Sequence, residues 1–279
     1  MRGRSKPVTL PGPLVSGDWL ARHADGVRIV DVRWYLDGRS GWNAYLSGHL
    51  PGAVWLDVDT DLSGSPSATA GRHPLPSEAS FARALGRMGI AEGTPIVAYD
   101  DAGGSVAARL WWLLHSRGEP AAVLDGGIQA WPGVLTLVVP VPVPVIRPVR
   151  DWPAGRFVSA DQLAAGLAGD TVVYDSRVAD RYADGDPELD PRPGHIPGAR
   201  NAPWTDNLGP GGRFLDPATL RIRYADAIGH RTVAYCGSGV TACHDLLAMQ
   251  VAGISDLALY PGSWSQWAAD PTRPTEPGR

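Results

Sequence analysis

IVAYDDAGGSVAARLWWLLHSRGEPAAVLDGGIQAW, residues 96–131, and TVAYCGSGVTACHDLLAMQVAGISDLALYPGSWSQW, residues 232–267, follow one pattern. A constant offset of 136 sets Tyr99 on Tyr235, Gly126 on Gly262 and Trp131 on Trp267. Upstream, GHLPGA at residues 48–53 returns as GHIPGA at 194–199, and Asp31-Val32-Arg33 returns as Asp175-Ser176-Arg177. Three matched blocks in one order indicate a duplicated domain. Between the copies, residues 138–153 read VVPVPVPVIRPVRDWP. Proline lacks the ladder N–H and cannot sit in a central strand, so this stretch predicts an extended surface connector. The expected domains are therefore residues 8–140 and 155–275, each long enough for its own core.

Within each copy, short apolar runs alternate with amphipathic or apolar stretches of helical length. The runs 28–32, 95–99, 121–124, 171–175, 232–235 and 257–260 predict buried parallel strands. Residues 77–88, 106–116, 159–167 and 241–251 predict helices, with Ser77 and Ser159 as N-caps and Gly118 and Gly253 as stops. The expected class is α/β: in each domain a parallel sheet with helices on both faces. Sites in such sheets lie beyond the carboxyl ends of the strands.

The chain has 279 residues, of which 44% are hydrophobic and 19% charged, with a net charge of −4. That balance fits ordinary globular cores and argues against a nucleic-acid or membrane partner. All basic residues but Lys6 are arginine, with no basic run. The longest apolar stretch, 134–146, is interrupted by three prolines and falls short of the ~20 residues a membrane helix needs. The opening MRGRSKPVTLPGPL has no apolar segment behind its charges, so no signal peptide and a cytoplasmic location are expected. The two cysteines, Cys236 and Cys243, are too few for a disulfide framework, and the seven histidines show no ligand spacing, so neither metal nor cofactor is expected.

Cys236 directly follows a predicted strand and precedes a predicted helix, in the loop Cys-Gly-Ser-Gly-Val-Thr. Two glycines allow the loop to curl its backbone N–H groups inward, and a helix start adds to their pull on an anion. The thiolate is the reactive form of cysteine, so this setting marks Cys236 as a nucleophile. Cys243, two residues into the helix, reads as core.

The pattern YCGSGVTACH, with GHIPGA upstream and YPGSWSQW downstream, resembles the rhodanese-like sulfurtransferases, and more narrowly the 3-mercaptopyruvate sulfurtransferases. The resemblance spans nearly the whole chain as two tandem rhodanese-like domains. It implies a catalytically silent first domain, which fits Asp100 standing where the repeat places Cys236. It also implies sulfur transfer through a Cys236 persulfide, with cyanide, a small thiol or a thioredoxin as acceptor. Relatives acting on thiosulfate carry basic residues after the cysteine, whereas Gly237 and Ser238 are neutral, so a mono-anionic donor such as 3-mercaptopyruvate is expected. The resemblance assigns donor binding to Arg181 and Arg192 and to the loop residues Gly237, Gly239, Val240 and Thr241. It also implies a relay of Ser238 with His73 and Asp59 from the first domain. Arg33 and Arg177, and His49 and His195, recur in both copies and so read as structural.

Two further classes fit the sequence less well. A cysteine-dependent phosphatase needs an arginine six residues beyond the cysteine, and here that position is Ala242. A non-catalytic sulfur-relay module is disfavoured by the intact cysteine loop. Within the same chemistry, a thiosulfate:cyanide sulfurtransferase remains the alternative.

Overall fold

The computed structural model describes residues 8–278. The charged stretch 1–7, and with it the expectation about a signal peptide, lies outside them. Strands β1 (Leu14–Val15), β2 (Arg28–Asp31), β3 (Val54–Trp55), β4 (Ile96–Tyr99) and β5 (Ala121–Leu124) form one sheet in the order β1-β5-β4-β2-β3. Strands β6 (Val172–Asp175), β7 (Arg200–Asn201), β8 (Thr232–Tyr235) and β9 (Leu257–Leu259) form a second, ordered β7-β6-β8-β9. All pairings between these strands are parallel. The first half carries helices α1 (Gly17–His23), α2 (Gly41–Leu46), α3 (Glu78–Arg87) and α4 (Ala107–His115). The second carries α5 (Ala160–Gly166), α6 (Ala179–Asp184), α7 (Pro217–Arg223), α8 (Ala242–Val251) and α9 (Ser263–Trp267). The expected α/β class, parallel sheets flanked by helices, is what the chain forms.

Period-two alternation along the strands explains the layering. In β4, Ile96 and Ala98 enter a central core, while Val97 and Tyr99 enter an outer one. In β8, Ala234 shares the central core, while Val233 and Tyr235 face a second outer cluster. The central core belongs to both halves. Trp111, Trp112 and Leu114 of α4 lie in it with Leu246, Leu247 and Met249 of α8, and the two helices pack on each other. An apolar face on every side suits a helix buried between two sheets.

The repeated polar motifs hold the turns. Arg33 forks onto Asp31 at 2.6 Å and reaches the Gly48 carbonyl at 2.8 Å. Arg177 repeats both bonds, with Asp175 at 2.6 Å and Gly194 at 2.8 Å. His49 stacks on Tyr45 and His195 on Tyr182. These residues are structural, as their recurrence suggested. Ser77 and Ser159 cap α3 and α5, and Gly118 and Gly253 take positive φ after α4 and α8.

Residues 137–153 form neither strand nor helix and run along the first half. The Val145 N–H bonds the Gly86 carbonyl at 2.9 Å, and Trp152 Nε1 bonds the Pro76 carbonyl at 3.0 Å. No helix among the described residues is long and apolar enough to cross a membrane.

Because the central core is shared, truncating one of its side chains should weaken both halves. Leu246→Ala is expected to cost about 2–5 kcal/mol. Urea unfolding followed by tryptophan fluorescence and by far-ultraviolet dichroism should then shift as one coincident transition. Separated transitions would mean that the halves fold independently.

Candidate active site

Cys236 emerges from the carboxyl end of β8, at the bottom of a cleft of about 500 Å³ between the two halves. Its sulfur accepts the Gly239 N–H at 3.1 Å. Gly239 has a φ of +82°, and a Cβ there would stand 2.6 Å from the Pro261 carbonyl oxygen, so only glycine fits. The loop is pinned from below by the start of α9. Trp264 N–H bonds the Cys236 carbonyl and Ser265 N–H the Gly237 carbonyl, each at 2.9 Å. Ser263 Oγ accepts the Cys236 N–H at 3.2 Å. Cys243 is different: it is fully buried, does not line the cleft, and burial pushes its thiol up to about 12. Among the described residues both cysteines are free.

The equivalent turn of the first half shows what such a loop holds. The Asp100 carboxyl, fully buried at the end of β4, accepts four backbone N–H groups. Ala102 and Gly104 donate to one oxygen at 2.9 and 2.8 Å, and Val106 and Ala107 to the other at 2.8 Å each. No cation pairs with it among the described residues. The turn between strand and helix is thus an anion cradle occupied by the chain's own side chain.

The loop residues Gly237, Ser238, Val240 and Thr241 line the cleft, as does Arg181 of α6. Gly239 sits beneath them and supplies the bond to sulfur. Arg181 is held by the buried carboxylate of Asp190, through Nε at 2.7 Å and Nη2 at 2.6 Å. Asp59 and His73 form the expected pair, Nε2 to Oδ1 at 2.9 Å, and Trp34 Nε1 also donates to Asp59 at 2.9 Å. The bond from His73, helped by Trp34, holds the Asp59 carboxyl below its usual range. Among the described residues no hydrogen bond joins His73 to Ser238, and His73 Nδ1 is buried without a partner.

Arg192 is not at the cleft, which corrects the expectation for it. Its guanidinium donates to the carbonyl oxygens of Ala268 and Asp270 at 2.8 Å, Arg273 at 3.2 Å and Trp267 at 3.4 Å. A turn closed by the Asp190 N–H on the Asp186 carbonyl, at 2.7 Å, directs it away. Its Nε and Nη2 are taken by backbone oxygens, which tie it to the segment after α9.

Two arginines escaped the sequence reading. Arg109, aligned by the repeat with Asp245, is fully buried in α4. It donates to the Gly239 carbonyl and to the His73 carbonyl, each at 3.0 Å. It therefore joins the cysteine loop of one half to the histidine loop of the other. An arginine inside the apolar run RLWWLL was the signal for a buried cation. Arg72, beside His73, lines the cleft, and nothing in its sequence context set it apart.

Known proteins agree with this architecture. The model of the rhodanese-like domain matches residues 16–133 and again 159–270. A probable 3-mercaptopyruvate sulfurtransferase of Pseudomonas aeruginosa is 41% identical over 262 residues, covering 90% of this chain and 92% of that protein. A putative thiosulfate sulfurtransferase of Mycobacterium tuberculosis is 41% identical over 263 residues, covering 91% and 92%. The solved structure of 3-mercaptopyruvate sulfurtransferase from Leishmania major superposes with a TM-score of 0.80 at 32% identity, covering 94% of this chain and 76% of that one. With both halves matched and relatives aligned along most of its length, the chain belongs to the rhodanese-like domain family, and carries that domain twice.

Proposed function

We propose that this chain is a sulfurtransferase that takes sulfur from 3-mercaptopyruvate onto Cys236 and passes it to a nucleophilic acceptor. The observation that carries the reading is the Cys236 sulfur at the floor of the cleft, held by the Gly239 N–H in a turn whose twin binds a carboxyl group. The first half, with Asp100 filling its turn, serves as the silent partner, and the second half does the chemistry.

The reaction runs in two steps of covalent catalysis. The Cys236 thiolate attacks the donor sulfur. A sulfur–sulfur bond forms as the carbon–sulfur bond breaks, and the bond pair leaves on C3 of pyruvate as an enolate. The proton of the donor thiol ends on that carbon, so a persulfide anion and pyruvate result. Ser238, together with the Asp59–His73 pair, is the proposed route for the proton. The loop amides stabilise the persulfide charge. Cyanide, a small thiol or a thioredoxin then attacks the outer sulfur, which returns the thiolate. Arg181 beside Gly237 binds the donor carboxylate. A free thiol nucleophile suits a reducing, cytoplasmic setting.

A thiosulfate donor is the second reading, favoured by the equal identity to the Mycobacterium tuberculosis protein. Against it, the residues after the cysteine, Gly237 and Ser238, are uncharged, and Asp190 cancels the charge of Arg181.

Steady-state kinetics with each donor against cyanide test this directly. The expected result is a kcat/KM at least tenfold higher for 3-mercaptopyruvate, with Cys236→Ser reducing thiocyanate formation to background. Equal or better use of thiosulfate would favour the second reading, and turnover by Cys236→Ser would remove both. Arg192→Ala is expected to lower the thermal midpoint and leave the KM within about twofold of wild type, since its partners are backbone carbonyls away from the cleft. A large rise in KM without loss of stability would restore it to the site.

A further inference from the structure

We infer that Arg72, delivered to the cleft from the first half, binds the anionic group of the sulfur donor and sets its position over Cys236. The inference rests on the proposed sulfur transfer and adds to Arg181 a second cation, one without a carboxylate partner, to meet the donor.

Three observations converge on Arg72. First, its place is above the cysteine loop. A Cβ added to Gly237 would stand 2.9 Å from Arg72 Nη2 and 2.7 Å from Arg181 Nη2. Two guanidinium groups therefore flank the space that any side chain after the cysteine would occupy. Second, the charges of those two groups differ in how they are met. Arg181 spends its Nε and one Nη on the carboxylate of Asp190. Of the other two arginines lining the cleft, Arg177 is paired with Asp175 and Arg39 with Asp37. Arg72 makes no ion pair among the described residues. Its Nη1 donates to the Leu189 carbonyl, and its Nε is buried with no partner at all. Third, its setting disfavours the bare cation. Burial, and then the like charge of Arg181, pull its pKa down from the usual arginine value. A half-buried guanidinium left short of partners gains from an incoming anion.

The chain around Arg72 is built to hold it there. Residues 67–71 close a tight turn, with the Gly71 N–H on the Ser67 carbonyl at 2.8 Å. Gly71 has a φ of +90°, and a Cβ there would stand 2.5 Å from the Gly262 carbonyl oxygen. The Arg72 N–H bonds Ser265 Oγ at 3.0 Å. The turn thus rests on the start of α9, the same element that pins the Cys236 loop. The arginine and the nucleophile share one support. The ligand class that fits is a small mono-anion, because one of the two flanking arginines is already neutralised by Asp190. An α-keto carboxylate meets that description, and its planar oxygens match the guanidinium fork.

The test uses the full chain, with Arg72→Ala and Arg72→Lys compared with wild type. Against 3-mercaptopyruvate and cyanide, Arg72→Ala is expected to raise KM about tenfold or more while kcat falls less than threefold. Arg72→Lys, which keeps the charge and loses the fork, should lie between them and serves as the test if the alanine variant does not fold. A second readout is protection of Cys236 by pyruvate from alkylation by neutral iodoacetamide. Wild type should be protected, and Arg72→Ala should need at least tenfold more pyruvate. If wild type turns over the donor and both variants keep its KM, the role of Arg72 is overturned while the sulfur-transfer reading stands. If wild type is inert toward 3-mercaptopyruvate, both fall together.

Discussion

A parallel strand that turns straight into a helix leaves several backbone N–H groups pointing at one spot, and a hydrogen-bond acceptor has to answer them. That demand organises both halves of this protein. After β4 it is answered by the carboxyl of Asp100, which takes four N–H bonds between 2.8 and 2.9 Å. After β8 the answer is one sulfur, which takes one N–H at 3.1 Å. The persulfide proposed for Cys236 adds the second atom that the carboxyl already has. The same local fold gives a closed structural joint in one copy and a site with room for a further atom in the other.

The remaining architecture keeps the second turn in place. Arg109 carries its charge from α4 to the Gly239 carbonyl, and α9 holds the carbonyls of Cys236 and Gly237. A buried guanidinium without a carboxylate is costly unless its donors are met. Arg109 and Arg192 both solve this with several backbone carbonyls, and so act as rivets between segments. Arg72 differs from both: its Nε is unmet, and it lines the cleft beside the nucleophile. The contrast separates arginines that brace the structure from one that faces the cleft.

Much of the fold was legible because duplication let two weak patterns confirm each other. The predicted strand 232–235 and the helix over 241–251 match β8 and α8 to within a residue at either end. Two-residue strands such as β3 and β7 escaped notice, being too short for alternation to register. Cys236 was legible from its loop, since strand, glycines and helix are all local. Arg192 and Arg72 were not, for opposite reasons. Arg192 lies in the expected stretch, but a turn between Asp186 and Asp190 aims it elsewhere. Arg72 reaches the cleft only because the 67–71 turn rests on α9 of the other half, a contact between segments nearly two hundred residues apart. Spacing along a chain carries no record of such a meeting.

The shared central core has a consequence for the history of such a chain. Alternate residues of β4 and β8, together with α4 and α8, are dry only while the halves stay joined. A copy that lost its thiol could not then be discarded, because its partner would be left with a naked greasy face. The half that carries Asp100 in its turn supplies one wall of that shared interior. Duplication here works as a ratchet: once the two faces had grown into one interior, neither gene half could be inherited without the other.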